Sequence, residues 1–190
     1  MTGKRERVHP KSRAEWRAWL EQNHADSPGI WFLYFKKATG KPRLEYDEIV
    51  EGALCFGWVD SRAGTLDDER SMLLITPRRP KSGWSKPNKE RIRKLKRAGL
   101  LTEAGLDAVE VAKRNGAWTV LDGPEALEMP ADLHAAFEEN TAAKENYEAF
   151  PPSAKKVILT WIATAKREET RSKRIVETVR SAARNERANQ

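Results

Sequence analysis

The chain has few residues of the kinds that bind metal ions or form disulfides. Its 190 residues include one cysteine, Cys55, and three histidines, His9, His24 and His134. A single cysteine excludes a disulfide within the chain, and the histidines do not have the spacing of metal ligands. No C-x-x-C, H-E-x-x-H or EF-hand pattern occurs. We therefore expect neither a bound metal ion nor a cofactor.

Long apolar runs and targeting segments are also lacking. The longest apolar-looking run, residues 157–165, is interrupted by Thr160 and Thr164, and it is far shorter than the roughly 20 residues of a membrane span. The N-terminal residues are charged and contain no apolar region of the kind found in signal peptides. Together with the scarcity of cysteine, these features predict a cytoplasmic protein without membrane insertion.

Recognised catalytic motifs are absent as well. The sequence contains no G-x-S-x-G nucleophile elbow and no phosphate-binding P-loop. Cys55 lies in the apolar stretch A-L-C-F-G-W, where a cysteine packs as a small hydrophobic residue; a reactive thiol is the alternative. No reaction can be inferred from these residues, and we expect a binding protein rather than an enzyme.

The distribution of charge is the most informative feature that is present. The net charge of the chain is +7, yet the segment Arg78–Arg97 alone contains ten basic residues and one acid, which gives it a net charge of +9. Residues 103–150 contain eleven acids and three bases, and they are the natural counterpart within the chain. Because charge of one sign attracts the opposite sign, this basic segment predicts an anionic ligand or partner.

The basic segment begins as a predicted loop and continues as a predicted helix. Two prolines and a glycine between residues 76 and 85 favour the loop, and Pro87, with Ser85 as the cap, favours a helix that ends at Gly99. Backbone N–H groups at the helix start, hydroxyls and cations could then converge on one anion. The predicted anion-binding residues are Arg78, Arg79, Lys81, Ser82, Trp84, Ser85, Lys86 and Asn88, supported by Asp60, Lys89 and Arg93.

Other interpretations of the same residues stay open. The helix could be a solvated basic surface, with Lys89, Arg93, Lys96 and Arg97 in its outer arc and its arginines paired with acids of the chain. Trp84 could stack on a base or sugar, or it could fasten the loop to the core.

Three functional hypotheses follow from this pattern. The first is non-enzymatic binding of a phosphate-bearing ligand, of nucleic acid without sequence preference, or of an acidic protein. The second is an enzyme acting on an anionic small molecule, with Arg78 and Arg79 holding the substrate and Asp60 as acid or base; Asp60 could instead form a structural pair with an arginine. The third is an interaction protein that works through C-terminal helices.

Hydrophobic periodicity predicts an α+β fold with a three-stranded sheet. Residues 1–11 are predicted to be a basic tail, residues 12–99 an α+β domain, and residues 100–190 an all-helical module that packs on it. The strands are predicted at 30–37, 58–61 and 71–76, and the helices at 12–23, 46–57, 87–99, 102–115, 131–140, 141–149, 153–166 and 170–185.

Four segments of the chain resemble the bacterial YdeI/OmpD-associated family, which is often described as a family of bacteriocin-protection proteins. The segments are Ala53–Ser61, Thr76–Asn88, Ala98–Leu106 and Pro151–Ile175. The resemblance implies a bacterial cytoplasmic protein with an α+β N-terminal part and a helical, OmdA-like C-terminal module. It also implies a link to stress tolerance, outer-membrane porins or bacteriocins, but no catalytic or ligand-binding residue.

Overall fold

The computed structural model describes residues 5–189, which form two compact units. Unit 1 comprises residues 5–82 and 87–115, and unit 2 comprises residues 83–86 and 116–189. Residues 100–115 therefore lie in unit 1, although they were predicted to begin the C-terminal module.

Unit 1 contains a four-stranded sheet in the order β1-β2-β4-β3. The β1 strand is parallel to β2, and the other neighbouring pairs are antiparallel. The three predicted strands are confirmed, and β1 is a fourth that lies within the predicted tail. With only two residues, β1 is too short to show an alternating pattern in the sequence. The strands are β1 (Arg7–Val8), β2 (Ile30–Phe35), β3 (Trp58–Thr65) and β4 (Arg70–Pro77).

Helices cover the buried face of this sheet and make the core of unit 1. The indole N–H of Trp16 donates to the Ile49 carbonyl at 3.0 Å, which ties the first helix to the second. The helices predicted to begin at residues 12 and 102 are confirmed, and the hydroxyls of Ser12 and Thr102 cap them by accepting bonds from N–H groups three residues later. The helices are α1 (Arg13–Asn23), α2 (Tyr46–Cys55), α3 (Lys86–Arg97, whose first residue belongs to unit 2) and α4 (Glu103–Arg114).

The α4 helix packs closely against the C-terminal end of α2. A Cβ atom added to Gly105 would lie 2.3 Å from the Cys55 carbonyl oxygen, so only glycine fits there. The same oxygen accepts bonds from the backbone N–H of Thr102 at 3.1 Å and from its hydroxyl at 2.7 Å. These contacts explain why α4 belongs to unit 1.

The residues of unit 2 that form regular structure are all helical, as predicted for the C-terminal half. One short helix, α5, lies between residues 115 and 131, where no helix was predicted. The last helix begins at Glu168, two residues before the predicted start at residue 170, and Val157 and Val176 on the last two helices are exposed. The helices are α5 (Asp122–Glu125), α6 (Ala131–Glu138), α7 (Thr141–Ala149), α8 (Pro152–Ala163) and α9 (Glu168–Ala183), and their core includes Leu133, Phe137, Tyr147, Ile158 and Ile162.

Two kinds of feature are missing from residues 5–189. None of the helices in this range is both long and apolar enough to cross a membrane. The same residues contain no group of three or more His, Cys, Asp or Glu side chains that could hold a metal ion.

Candidate anion-binding surface

The loop that opens the basic segment is anchored to unit 1 through backbone atoms. The Arg78 N–H donates to the Gly57 carbonyl at 3.0 Å, and the Asn115 side-chain amide donates to the Pro80 carbonyl at 2.9 Å. These two bonds hold the loop between the end of α2 and the end of α4. The loop is therefore a fixed platform for the side chains it carries.

Two cations of this loop extend into solvent. A turn closes through the Ser82 N–H and the Arg79 carbonyl at 2.9 Å, and it leaves the side chains of Arg79 and Lys81 exposed. Within the described part of the chain, neither side chain has a hydrogen bond or an ion pair. Their charges are thus available to an external anion.

Arg78 and Asp60 are brought together, as the sequence allowed. Burial lowers the pKa of the Arg78 guanidinium to about 10, and the negative charge of Asp60 acts in the opposite direction. The Tyr46 hydroxyl donates to Asp60 Oδ2 at 2.7 Å. Burial, followed by this bond, raises the pKa of Tyr46 to about 12. Asp60 thus has a structural partner in Tyr46 and a compensating charge in Arg78.

Trp84 packs within unit 2 and does not face solvent. Its side chain is almost completely buried, its backbone N–H donates to the Ala117 carbonyl at 3.1 Å, and its ring lies 5.1 Å from that of Trp118. This is the fastening role that the sequence also allowed. Because the ring is buried, Trp84 does not belong among the side chains that contact a ligand.

The predicted helix start already holds a carboxylate of the protein itself. The backbone N–H of Lys86, the first residue of α3, donates to Glu125 Oε2 at 2.8 Å, and Lys156 Nζ lies 3.5 Å from Glu125 Oε1. The Glu125 side chain is only 10% exposed. An internal anion thus occupies the position that we predicted for an external one, while the Ser85 hydroxyl has no hydrogen bond among the described residues.

Two other predicted residues of the helix have roles within unit 1. Asn88 Oδ1 accepts a bond from Arg91 Nη1 at 2.9 Å, and Arg91 Nη2 donates to Asp47 Oδ1 on α2. Lys89 is 5% exposed, so the prediction that it lies in a water-facing arc is wrong. At about 100° per residue, positions 89 and 92 are only about 60° apart, and the apolar stripe through Ile92 therefore reaches Lys89.

The opposite side of α3, which we call its outer face, carries three exposed cations: Arg93, Lys96 and Arg97. Their spacing places them within about 100° of the helix circumference. None of the three has a hydrogen-bonded or ion-paired acid among residues 5–189. The neighbouring Lys94 differs, because its Nζ donates to Glu51 Oε1 at 2.6 Å. The outer face is thus a compact cluster of positive charge.

An exposed base of α4, Arg114, extends this positive charge, whereas its neighbour Lys113 is paired with Glu110 at 2.7 Å; sequence reasoning missed both residues. Glu110 has a lowered pKa, first because Lys113 donates to its carboxylate and then because of the charges on Lys113, Lys96 and Arg114. Lys96 of α3 and the last turn of α4 therefore act on the same carboxylate. The signal in the sequence was the pair of bases in the last turn of a predicted helix.

The acids of the protein neutralise only a minority of the basic segment. Arg91 and Lys94 are paired with acids of α2, and Arg78 and Lys89 are at least partly buried. The remaining six bases are exposed, with no ion pair to a described residue: Arg79, Lys81, Lys86, Arg93, Lys96 and Arg97.

Comparison with known families assigns the two parts of the chain separately. A family model described as a domain of unknown function, DUF8412, matches residues 8–108, which is more than half of the sequence. The chain therefore belongs to the DUF8412 family. A second model, described as bacteriocin-protection, YdeI or OmpD-associated, matches residues 126–185.

The second match confirms the predicted resemblance to the YdeI/OmpD-associated family. Of the four segments that carried it, Pro151–Ile175 lies within residues 126–185, and the other three lie within the DUF8412 match. Searches of curated proteins and of solved structures find no significant match.

Proposed function

We propose that this protein binds extended polyanions, such as single-stranded nucleic acid, through the exposed cations of its basic segment. The observation that carries the proposal is the set of exposed bases without ion pairs, above all the outer face of α3. Their positive charges attract phosphates over several ångströms, and binding releases counterions from the polyanion.

An extended polyanion fits these residues better than a single small phosphate. Three features of a closed phosphate pocket are missing, because Glu125 binds the Lys86 N–H, Trp84 is buried, and Lys89 is buried. The available cations lie instead on an exposed turn, at Arg79 and Lys81, and on a helix surface. A chain of phosphates could contact several of them in succession.

The binding is expected to be weak and indifferent to sequence. Lysine and arginine side chains on an exposed surface contact phosphate and sugar, and such contacts position a nucleic acid without reading its bases. The only aromatic residue of the basic segment, Trp84, is buried, so it provides no stacking platform. The affinity should therefore depend steeply on salt concentration.

A charge-neutralising variant tests the proposal. The triple variant Arg93→Gln, Lys96→Gln and Arg97→Gln removes the outer face of α3, and binding of a labelled single-stranded oligonucleotide is measured at several salt concentrations. Each phosphate contact contributes about 0.7 to the slope of log K against log salt for single strands, so the slope should decrease in magnitude by about 2.

A matched control distinguishes the effect of the outer face of α3 from the effect of a lower net charge. The triple variant Lys37→Gln, Lys166→Gln and Arg167→Gln removes the same charge at exposed positions outside the basic segment, and it should keep the wild-type slope. Absence of binding at low salt, or equal losses in both variants, would overturn the proposal. Equally strong binding of inorganic phosphate would indicate a single-anion site instead.

The enzyme hypothesis receives no comparable support. The three cavities described for the molecule are not lined by Asp60, Arg78 or Arg79. Tyr46 and Arg78 also account for the position and charge of Asp60 as a structural group.

The C-terminal match suggests a physiological setting for polyanion binding. Its description names bacteriocin protection, and we propose that the chain serves such stress tolerance in the cytoplasm. A host strain without the gene would be challenged with a bacteriocin after complementation with wild type or with the outer-face triple variant. Protection that is restored by wild type and not by the variant would connect polyanion binding with bacteriocin protection. Equal protection would show that the two are independent.

A further inference from the structure

A cavity of about 260 Å³ lies in unit 1, where α1 and α2 meet the end of α3. We propose that this cavity binds a small aromatic carboxylate, that is, a molecule with an apolar ring and one negative group. The proposal is independent of polyanion binding, because the outer face of α3 does not line the cavity.

The floor of the cavity is apolar and aromatic. Trp16, Cys55, Phe56 and Leu95 all line it, and each is almost fully buried. Burial is the main cause that raises the pKa of the Cys55 thiol, so the thiol carries no charge at neutral pH. An apolar cavity of about 150 Å³ is large enough for benzene, so this one has room for a ring with a short substituent.

The rim of the cavity carries two arginines beside two glutamates, Glu48 and Glu51. Arg13 and Arg17 both line the opening, and their side chains are 56% and 42% exposed. The Arg17 guanidinium lies 5.4 Å from the centre of the Phe56 ring, and Arg17 Nη1 donates to the Leu100 carbonyl at 3.2 Å. One guanidinium is thus held directly above the aromatic floor, where it can bind a carboxylate while the ring is buried below.

The acids at the cavity do not prevent a ligand carboxylate from binding to Arg17. The carboxylate of Glu51, which is 7% exposed, already accepts bonds from Arg13 Nη2 and Lys94 Nζ, each at 2.6 Å, so two cations compensate its charge. Glu48 lies 3.8 Å from Arg13, and Glu21 pairs with Arg17 at 3.0 Å. Exposed pairs of this kind contribute about 0 to 1 kcal/mol, so a ligand carboxylate can replace Glu21.

The charge at the opening also selects against other ligands. A cationic ligand would meet Arg13 and Arg17, and a neutral ligand would gain the apolar floor without the charged hydrogen bond. The cavity therefore discriminates by charge at the rim and by shape and polarity at the floor.

Three matched probes test the proposal by calorimetry on the full chain: phenylacetate, phenylacetamide and phenethylamine. Phenylacetate should bind at least about tenfold more tightly than either of the others, since a difference of about 1.4 kcal/mol corresponds to a factor of ten. Equal affinities for all three would overturn the charge recognition, and no binding of phenylacetate would overturn the site.

The single cysteine provides an independent readout of occupancy. Because the chain contains no other cysteine, mass spectrometry after treatment with a small alkyl thiosulfonate reports only on Cys55. Phenylacetate at saturation should slow this modification about tenfold, and phenylacetamide at the same concentration should not. A rate of modification that phenylacetate leaves unchanged, together with calorimetric binding, would locate the ligand elsewhere.

A pair of surface substitutions on α1 controls for folding. Ala14 lines the cavity and Ala18, one turn later, does not; both are exposed, and leucine preserves the helix propensity at each. Ala14→Leu should abolish phenylacetate binding, and Ala18→Leu should preserve it. Arg17→Gln should weaken phenylacetate about tenfold and leave phenylacetamide unchanged. Wild-type binding by Ala14→Leu would contradict the location of the site.

Discussion

The backbone N–H of Lys86 donates a 2.8 Å hydrogen bond to the carboxylate of Glu125, so the first residue of α3 binds an acid of the same chain. A helix N-terminus carries partial positive charge and unpaired N–H groups, and a carboxylate there satisfies both. Glu125 is separated from Lys86 by 39 residues, which is why no local pattern in the sequence revealed the contact.

Removal of this carboxylate should destabilise the protein. The variant Glu125→Ala loses the bond to Lys86 and the ion pair with Lys156, and we expect the free energy of unfolding to decrease by about 1 to 2 kcal/mol. Urea denaturation measures the change. Glu139→Ala is the control, because Glu139 is exposed and has no ion pair or side-chain hydrogen bond among the described residues. Equal effects of the two substitutions would contradict the capping role.

The close approach of α4 to α2 predicts a steric effect at Gly105. In Gly105→Ala the new Cβ would lie 2.3 Å from the Cys55 carbonyl oxygen, so α4 must move, and we expect a loss of about 3 kcal/mol in urea denaturation. In Gly64→Ala the new Cβ would meet only the side chain of Met72, with its flexible end at 3.1 Å and its Cγ at 3.5 Å. That substitution should change stability by less than about 1 kcal/mol, and a similar loss in both would contradict the packing argument.

The pair formed by Asp132 and Arg171 predicts a dependence of stability on acid pH. Hydrogen bonds of 2.6 and 2.9 Å from Arg171 lower the pKa of Asp132 in the folded state. The stabilisation is therefore present above the unfolded-state pKa of about 3.9 and is lost as the pH falls through the folded-state value. The variant Asp132→Asn should differ most from wild type near neutral pH, and the difference should shrink below about pH 4.

Urea midpoints at several pH values measure this effect. Arg171→Gln should reproduce the pH dependence of Asp132→Asn, because either substitution removes the same pair. A difference from wild type that stays constant from neutral pH to about pH 3 would assign the loss to packing instead of charge.

Two tyrosines should make the folded protein less stable at alkaline pH. Burial is the main cause that raises the pKa of both Tyr46 and Tyr147 to about 12 in the folded state. Because Tyr147 is 3% exposed and Tyr46 is 48% exposed, the loss of stability should come mainly from Tyr147. A raised pKa means that the stabilisation is complete below the unfolded value of about 10 and is lost as the pH rises through about 12. Absorbance titration should show that Tyr46→Phe and Tyr147→Phe each remove one group that ionises near pH 12.

Local patterns in the sequence predicted the elements that depend on local interactions. The helices that follow Ser12 and Thr102 and the strand that begins at Ile30 depend on hydrogen bonds and side-chain patterns within a few residues. The β1 strand could not be predicted in this way, because its two residues pair only with a distant partner that includes Trp31.

The positive charge of the candidate anion-binding surface could be predicted from the sequence, but the positions of its side chains could be predicted only in part. The excess of bases in Arg78–Arg97 was plain, and the exposed positions of Arg79 and Arg93 agree with the expected solvated surface. Lys89 and Trp84 are buried because neighbouring elements pack against them. A count of charges along the sequence gives no information about that packing. The cavity beside Cys55 is likewise built from three helices that are separate in the sequence.

Residues 83–86 are assigned to unit 2, although the residues on both sides of them belong to unit 1. The polypeptide therefore passes from one unit to the other three times, and no single cleavage yields both units complete. A gene fragment that encodes residues 116–190 alone would omit Trp84, whose N–H binds Ala117 and whose ring contacts Trp118. Recombinant halves of this protein must accordingly be co-expressed and tested together, since the C-terminal half lacks residues 83–86 of unit 2.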